Sequence, residues 1–431
     1  MHKSLILFLI LLINPLISVL AQDPSPWPAI RIERIKTLLP AALKTTGVDA
    51  WLVICRENNN DPLADHVGCE NAGGTASFLF YHDKTGFHSL AFSPSSESTA
   101  LDELDIHDTV ISVDRSKSTM AEAATFIKEK GFKTLAINSS DTNAQADGLS
   151  YTQRKTLEGY LGTDFKGRLV SSEQVVYEWL SIKLPAEVEI MRKAAVLTAA
   201  LQIEAYKHVI PGKTTDADVA AFLKKRMREL GVTDAWAPDQ NPNVNSGPDR
   251  GHSHSTNKVI MPGDVIQTDF GIRVHDRWVT DIQRFAYVLQ PGETKAPNHI
   301  QYAWESGRNG GFAAFKAMKP GVKGIEVDAA QSVMMKKAGS GYVPWSTGHP
   351  VGYVAHDTGP NLGGSRTKSV RPAAHKKLKV GMVFAFDGFH SWKRKDGTYK
   401  TISVEEMVVI KEKGAEYLIP PQQDIILIPS D

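Results

Sequence analysis

Residues 258–269 read KVIMPGDVIQTD, and residues 376–387 read KKLKVGMVFAFD. In both segments an Asp follows six residues after a Gly, at the end of a run rich in β-branched or aromatic residues. In both, a second apolar run comes next and contains a carboxylate, Asp281 in one case and Glu405 in the other. A duplicated strand hairpin of this kind predicts a domain built from two similar halves.

Helical stretches precede each hairpin and repeat in the same order. Pro185 opens a segment with acidic residues in its first turn and apolar residues at helical spacing after it. A second helix is predicted from Thr215, because Asp218 three residues later completes a capping-box pattern. Residues 185–431 are therefore predicted to form a pseudo-symmetric α+β domain. Its curved antiparallel sheet would gather the carboxylates between the two halves.

The region before this domain has a different pattern. Over residues 22–175, short apolar runs alternate with helical stretches, which is typical of an α/β domain. Residues 171–184 are predicted to be a connector, and the boundary between the two domains is predicted between residues 175 and 185. Cys55 and Cys69 lie 14 positions apart in this smaller domain, and the spacing fits either a disulfide or two unpaired thiols.

The first 21 residues predict a secretory signal peptide. They have a short positive start, an apolar run over residues 5–20 and a small-x-small pattern that ends at Ala21. A membrane anchor is the alternative, but Asn14 and Pro15 interrupt the run, which is shorter than the ~20 residues needed to span a bilayer. We expect cleavage after Ala21, a secreted or periplasmic location and no membrane attachment after cleavage.

The bulk composition is that of a globular protein. Among 431 residues, 42% are hydrophobic, and 49 Lys and Arg oppose 48 Asp and Glu, for a net charge of +1. Such a balance gives no reason to expect nucleic acid as a partner. Two cysteines exclude a disulfide scaffold and a four-thiolate zinc site.

Four carboxylates lie in the repeated apolar strands. They are Asp269, Asp281, Asp387 and Glu405. Buried carboxylates are unfavourable unless they are paired, protonated or bound to metal. With His349 they form a donor set that suits Mn²⁺, Co²⁺, Zn²⁺ or Fe²⁺. Two such ions ~3.5–4 Å apart can hold a bridging hydroxide and polarise a carbonyl, which is hydrolase chemistry. Taken singly, Asp269 fits a turn residue equally well, and Asp281 fits an ion-pair partner of Arg284.

Several histidines and a second glutamate stand close to these positions. His252 and His254 lie in a polar, Gly-rich loop, and His356 follows His349 by seven residues. Polar loops that hold histidine near the end of a sheet are common at catalytic sites, although a lone surface histidine is the plainer alternative. Side chains alternate along a strand, so only one of Glu405 and Glu406 can face the site. Glu406 is predicted to face solvent or to support its neighbour.

Together these segments resemble the pita-bread metallopeptidases, the family of methionine aminopeptidase, prolidase and Xaa-Pro aminopeptidase. The segments that carry the resemblance are Gly-His252-Ser-His254, Thr-Asp269-Phe-Gly, Thr-Asp281-Ile-Gln-Arg, Gly-His349-Pro-Val-Gly, Val-Ala-His356-Asp, Phe-Asp387-Gly and Val-Glu405-Glu. They cover essentially all of residues 185–431. The region before them is similar to the smaller, creatinase-like α/β domain that precedes the catalytic domain in prolidase and Xaa-Pro aminopeptidase.

The resemblance implies a role for each residue. Asp269 would chelate one metal ion, His349 and Asp387 would bind the other, and Asp281 and Glu405 would bridge both. His252 would contact the substrate near the scissile peptide, with His254 as the alternative. His356 would stabilise the oxyanion, and Asp387 would also relay a proton of the bridging water. The implied activity is that of a dinuclear Mn, Co or Zn aminopeptidase or dipeptidase of the Xaa-Pro type. It would act on short peptides as a homodimer.

Three features depart from the family pattern. The fourth ligand is usually Glu within Glu-Pro, whereas this chain has Asp387-Gly388, whose side chain is shorter by one C–C bond, about 1.5 Å. Asp269 and Asp281 are 12 positions apart, one more than is usual, which a residue added at the turn around His275 would absorb. Ser403 stands where proline-specific members often carry Arg, and Trp345 where they carry a pocket His.

These departures leave two alternatives open. The chain would be a non-catalytic binding protein if its metal site has decayed. It would be a creatinase-like hydrolase of a non-peptide C–N bond if it works without metal.

Overall fold

The computed structural model describes most of the chain, namely residues 24–69, 74–251 and 254–430. These residues form two compact units, one spanning Ser25–Ile182 and the other beginning at Lys183. The predicted signal peptide (1–21) and the predicted substrate contact His252 lie outside the described residues. Within the described ranges, no helix combines the length and the apolar character that crossing a membrane requires.

The first unit is a mixed β-sheet accompanied by helices, as the alternation of apolar runs predicted. Its strands are β1 (Ala50–Arg56), β2 (Thr75–Asp83), β3 (Gly86–Pro94), β4 (Thr109–Val113), β5 (Leu135–Ile137) and β6 (Leu169–Ser171). They lie in the order β4–β3–β2–β1–β5–β6, with β1 antiparallel to β2 and parallel to β5. Its α-helices are α1 (Trp27–Glu33), α2 (Leu39–Thr46), α3 (Ser98–Asp102), α4 (Thr119–Lys130), α5 (Tyr151–Leu161) and α6 (Glu173–Leu180). A π-helical turn and short 3-10 turns cover Arg34–Leu38, Ala64–His66, Ala144–Ala146 and Thr163–Phe165.

Helix α6 occupies most of the segment that the sequence predicted as a connector. Its apolar positions are buried, and the Trp179 indole donates a hydrogen bond to the Arg34 carbonyl. The helix therefore belongs to the packed interior of the first unit and is not a linker. The same unit holds Cys55 and Cys69 as buried thiols.

The second unit contains both repeated segments. Its helices are α7 (Pro185–Tyr206), α8 (Asp216–Glu229), α9 (Asn298–Ala317) and α10 (Gly324–Lys337), with a 3-10 turn at Pro372–His375. Its strands are β7 (Thr233–Asp234), β8 (Asn243–Ser246), β9 (Val265–Phe270), β10 (Ile272–Val274), β11 (Trp278–Val279), β12 (Ile282–Val288), β13 (Gly348–Pro350), β14 (Val383–Lys393), β15 (Tyr399–Lys411), β16 (Gly414–Tyr417) and β17 (Ile426–Ile428). In the described residues they form sheets ordered β11–β10–β7, β17–β12–β9–β8 and β13–β14–β15–β16.

Both predicted hairpins are present, and they face one another across a shared core. Strand β9 pairs antiparallel with β12, and β14 pairs antiparallel with β15. Phe285 of the first hairpin and Ile402 and Val404 of the second are buried in one cluster with Trp304 of helix α9. The pseudo-symmetric α+β architecture predicted from the repeat is therefore confirmed.

The helix starts follow local hydrogen bonding. At the start of α7, the carboxylate of Glu187 accepts a hydrogen bond from the Leu184 backbone N–H at 2.9 Å. At the start of α8, Thr215 and Asp218 form the predicted capping box, with reciprocal bonds of 3.1 and 2.8 Å. Both helices thereby satisfy backbone N–H groups that have no partner within the helix.

Backbone meets backbone where helix α9 crosses strand β14. The contact is made by Gly307, Gly310 and Gly311 of the helix and Gly388 of the strand. A Cβ atom placed on Gly388 would lie 2.1 Å from the carbonyl oxygen of Gly307, well inside van der Waals contact. Glycine at 388 is thus required for the helix to lie this close, directly after the predicted ligand Asp387.

Candidate metal centre

Three of the predicted ligands come together between the two hairpins. Ligand atoms of Asp281, His349 and Glu405 all lie within 4.8 Å of one another. His349 Nε2 is 3.7 Å from Asp281 Oδ2 and 3.8 Å from Glu405 Oε1. Bonds of about 2.0–2.2 Å to one ion place neighbouring ligand atoms roughly 3–3.5 Å apart. Small side-chain shifts would therefore let these three residues share a divalent ion.

The His349 ring is oriented as a ligand. Its Nδ1 lies 3.2 Å from the Pro350 carbonyl oxygen, which can only accept a hydrogen bond. The proton is therefore assigned to Nδ1, and the lone pair of Nε2 faces the carboxylates. Metal-binding histidines are commonly fixed in this way by a hydrogen bond from the other ring nitrogen.

The remaining two carboxylates border this group without belonging to it. Asp387 lies directly opposite Glu405 in the β14–β15 ladder, whereas Asp269 lies opposite Gln283 in the β9–β12 ladder. After burial and the charge of Glu405, the negative charge of Asp269 is a further cause of the raised pKa of Asp281. All four carboxylates are at most 8% exposed, so the repeated strands do bring four acidic side chains into one buried region.

The electrostatics of this region favour a cation. Burial raises the pKa values of Asp281, Asp387 and Glu405 well above their ordinary range, and repulsion between the carboxylates raises them further. Glu405 Oε2 is buried and has no hydrogen-bond partner among the described residues. A set of carboxylates and one imidazole fits Mn²⁺, Co²⁺ or Zn²⁺, and such an ion would neutralise this negative charge.

The raised pKa values predict how metal and pH act together on stability. Because the folded carboxyls have pKa values above those of the unfolded chain, the folded state binds more protons from about pH 4 upward. The free energy of unfolding of the metal-free protein should therefore fall as the pH rises through this window. Metal replaces these protons, so Mn²⁺ should raise the melting temperature more at about pH 8 than at about pH 5. Calorimetry with EDTA or Mn²⁺ at both pH values tests this, and an equal or reversed effect would contradict it.

Buried polar side chains fix the backbone of the first hairpin. Gln202 of helix α7 donates both amide hydrogens, one to the Thr268 carbonyl at 2.8 Å and one to the Ile282 carbonyl at 2.9 Å. These carbonyls belong to the residues directly before Asp269 and directly after Asp281. A single glutamine thus holds both strands at the points where the carboxylates project.

A second group of polar residues fixes the other hairpin. The Asp387 N–H donates to the Thr347 carbonyl at 2.7 Å, next to the strand that carries His349. Gln331 of helix α10 donates to the Thr347 hydroxyl at 2.7 Å and accepts from the Phe389 N–H at 3.0 Å. The Arg366 guanidinium ion-pairs with Asp328 of the same helix at 3.0 Å. Burial and the neighbouring carboxylates raise the pKa of Asp387, and the positive charge of Arg366 offsets only part of that rise.

Of the predicted catalytic histidines, His356 lies beside the ligand group. His356 is exposed, and its ring meets the His349 ring edge-on with centroids 4.2 Å apart. It therefore stands next to a predicted metal ligand. His254 is exposed on its loop, and His252 lies outside the described residues.

The sequence predicted that Glu406 faces solvent or supports its neighbour. The first of these alternatives is wrong. Glu406 is 4% exposed on the opposite side of β15 from Glu405, where its carboxylate binds the Arg284 guanidinium at 3.0 Å. Its other oxygen accepts from the Gln422 N–H at 2.7 Å. Arg284 therefore pairs with Glu406, and the reading of Asp281 as its partner is wrong. Glu406 is buried because Arg284 and Gln422 cover this face of β15.

A polar network that the sequence interpretation missed borders the carboxylates. Gln283 Oε1 accepts hydrogen bonds from the Ser403 hydroxyl and the Gln267 amide, both at 2.7 Å. Gln283 Nε2 lies 3.5 Å from Asp387 Oδ1. The only sequence signal for this network was a pair of glutamines at carboxylate-facing positions of apolar strands.

Trp345, which stands where proline-specific members carry a pocket His, packs against Phe389 with ring centroids 6.4 Å apart.

Similarity to known proteins agrees with this geometry. The profile of metallopeptidase family M24 matches residues 189–412. The "Probable dipeptidase PepE" of Mycobacterium tuberculosis H37Rv is 24% identical over 254 residues, which cover 58% of this chain and 61% of that protein. The chain thus aligns with about three fifths of the length of this relative.

Two solved structures share the fold across nearly the whole chain. Dipeptidase PepE from Mycobacterium ulcerans superposes with a TM-score of 0.69 at 18% identity, covering 93% of this chain and 99% of that one. An X-Pro aminopeptidase from Thermotoga maritima superposes with a TM-score of 0.67 at 20% identity, covering 90% and 100%. At these identities the likeness establishes the fold.

Proposed function

The chain belongs to metallopeptidase family M24, and from this premise we propose that it is a metal-dependent aminopeptidase or dipeptidase. The observation that carries the proposal is the group formed by Asp281, His349 and Glu405, whose ligand atoms lie within 4.8 Å of one another. The raised pKa values of the surrounding carboxylates support the same conclusion.

We further propose that the site takes two divalent ions, Mn²⁺, Co²⁺ or Zn²⁺. Asp281 and Glu405 would contribute to both ions. Asp269 would bind one of them, and His349 and Asp387 would bind the other. Bound ions supply Lewis-acid polarisation of the scissile carbonyl and lower the pKa of a water molecule. The donor set, rich in hard oxygen ligands with one imidazole, supports these metals.

The remaining roles belong to side chains of this chain. His356, exposed beside His349, would donate a hydrogen bond to the oxygen of the scissile carbonyl as it becomes negative. His252 would contact the peptide near the scissile bond. Asp387 would accept a proton from the attacking water and deliver it to the leaving nitrogen.

The substrate is proposed to be a short peptide with proline as its second residue. The names of the structural relatives, a dipeptidase and an X-Pro aminopeptidase, support this class. Ser403 and Trp345 stand where proline-specific members often carry Arg and His, so we expect a modest preference, about tenfold over Ala in the second position.

Turnover of three peptides tests the proposal. Purified protein stripped of metal should hydrolyse Ala-Pro or Ala-Pro-Ala after addition of Mn²⁺, Co²⁺ or Zn²⁺, and Ala-Ala more slowly. The ratio of the first two substrates separates dipeptidase from aminopeptidase activity. Failure with every metal would favour a decayed binding site, and metal-independent hydrolysis of a guanidino compound would favour the creatinase-like alternative.

We also propose that the mature protein is exported and forms homodimers. The apolar run over residues 5–20 and the small residues before position 22 support export. Dimerisation rests on the family resemblance alone. Amino-terminal sequencing of protein from the culture medium or periplasm, and its mass in solution by light scattering, test these two points.

A further inference from the structure

We propose that the chain has a second small-molecule site, on the face of the β14–β15 ladder turned away from the metal centre, and that this site binds a free amino acid with an apolar side chain. The site is a cavity of about 580 Å³ between helix α9, strand β16 and the segment 421–423. Sites for small molecules typically occupy about 300–1,000 Å³, so the cavity has a suitable size.

The floor of this cavity is the reverse face of the strands that carry Asp387 and Glu405. It is formed by the buried side chains of Phe386, Val404 and Glu406. Phe386 lies directly opposite Glu406 in the ladder. Because side chains alternate along a strand, these three project away from the metal centre. A ligand in the cavity and ions at the metal centre would therefore contact opposite faces of the same two strands.

Aromatic rings and hydrogen bonds hold the walls of the cavity in place. Tyr417 of β16 stacks on Phe315 of helix α9 with ring centroids 4.2 Å apart, and its ring lies 6.1 Å from that of Phe386. Arg308 of the same helix donates to the Gln423 carbonyl at 2.6 Å and to its side-chain oxygen at 2.8 Å. The cavity is thus formed without a ligand, and its apolar surface suits an apolar side chain.

The charged groups around the cavity balance one another. Glu305 and Arg308 line it from helix α9, and Glu406 lines its floor, where it binds Arg284 at 3.0 Å. Together these side chains carry no net charge, so a zwitterion matches them better than a simple anion or cation. The ligand ammonium would approach Glu305 and Glu406. Its carboxylate would approach Arg308, whose guanidinium has N–H groups beyond those that bind Gln423.

Tyr417 adds an uncharged hydrogen-bond donor to this wall. Burial and then the charge of Glu406 raise the pKa of Tyr417 above its ordinary value, so its hydroxyl stays protonated at neutral pH. The hydroxyl can therefore donate to the ligand carboxylate together with Arg308.

Binding of L-leucine to the metal-free protein tests the proposal. Equilibrium dialysis of labelled L-leucine in EDTA should show one site per chain, with a Kd of roughly 0.1–1 mM for so small a ligand. 4-Methylpentanoate lacks the ammonium and 3-methylbutylamine lacks the carboxylate, so each should compete at least about tenfold more weakly. Absence of leucine binding, or equal competition by either analogue, would overturn the proposal.

Three variants locate the bound leucine. Arg308→Gln removes the guanidinium, and Asn309→Trp places an indole at the cavity wall, so each should weaken binding at least about tenfold. His349→Ala changes the metal centre and should bind leucine as the natural protein does. Binding that is lost in His349→Ala but kept in both helix variants would place leucine at the metal centre and overturn the proposal. If one helix variant has a lowered melting temperature, the other decides.

The outcome is separate from that of the proposed peptidase function. Leucine binding is measured without metal and without turnover. A natural protein that cleaves no peptide but binds leucine at the cavity would refute the peptidase function and leave this second site in place.

Discussion

The Glu405→Gln variant is expected to lose peptidase turnover by about a thousandfold or more, together with bound metal. Loss of residues that only support a ligand already costs 10–100-fold in affinity or activity, and Glu405 is proposed to contact both ions. Its Oε2 is buried and has no hydrogen-bond partner among the described residues, so the substitution breaks no hydrogen bond at this atom. The fold should therefore survive the substitution. Elemental analysis and turnover of Ala-Pro measure the two losses.

The matched control is the neighbouring residue on the same strand. Glu406→Gln changes the same functional group, but on the opposite face of β15, where the carboxylate binds Arg284. This variant should keep its metal and most of its turnover, while its melting temperature falls. Equal loss of metal in both variants would mean that disruption of the strand, and not loss of a ligand, explains the effect of Glu405→Gln.

The second large effect concerns stability. Arg284→Leu should lower the free energy of unfolding by about 3–5 kcal/mol, the usual result of removing one partner from a buried ion pair. Arg284 and Glu406 are 3% and 4% exposed, so neither charge is well hydrated when its partner is removed. Denaturation by urea in the presence of EDTA measures this effect without a contribution from metal binding.

The double variant Arg284→Leu with Glu406→Leu separates charge from packing. Replacing both charged groups by apolar ones removes the unpaired carboxylate, so the double variant should be more stable than Arg284→Leu alone. Together with Glu406→Leu alone, these variants complete a double-mutant cycle that isolates the coupling between the two side chains. If the two variants are equally unstable, packing of the arginine side chain and not the buried charge is responsible.

Much of the fold was predictable because local patterns determined it. The hairpins follow from apolar runs that repeat at matched spacing, and the start of α8 follows from the Thr215–Asp218 capping box. Two of the three residues that form the mutually close ligand group, Asp281 and Glu405, were identified from the repeat, and His349 was identified from the Gly-rich segment that contains it. The two carboxylates come close because the hairpins face one another, although the register differs between them: Asp387 lies opposite Glu405, whereas Asp269 lies opposite Gln283.

The parts that were missed depend on contacts distant in sequence. Alternation along β15 indicates that Glu406 faces away from Glu405, but it does not reveal that Gln422 and Arg284 cover that face. Gln283 lies beside Arg284 at the start of a mostly apolar strand, and its partner Ser403 lies 120 positions away. Without a known partner, a glutamine in a strand has no assignable role.

The close crossing of helix α9 over strand β14 restricts the mutational paths open to this chain. A single substitution at position 387 can exchange one carboxylate for another. A Cβ atom at position 388 would lie 2.1 Å from the carbonyl oxygen of Gly307, so Glu-Pro at positions 387 and 388 requires a simultaneous shift of helix α9. Mutation can therefore exchange the carboxylic acid at position 387, whereas position 388 stays glycine as long as helix α9 keeps its glycines at this crossing.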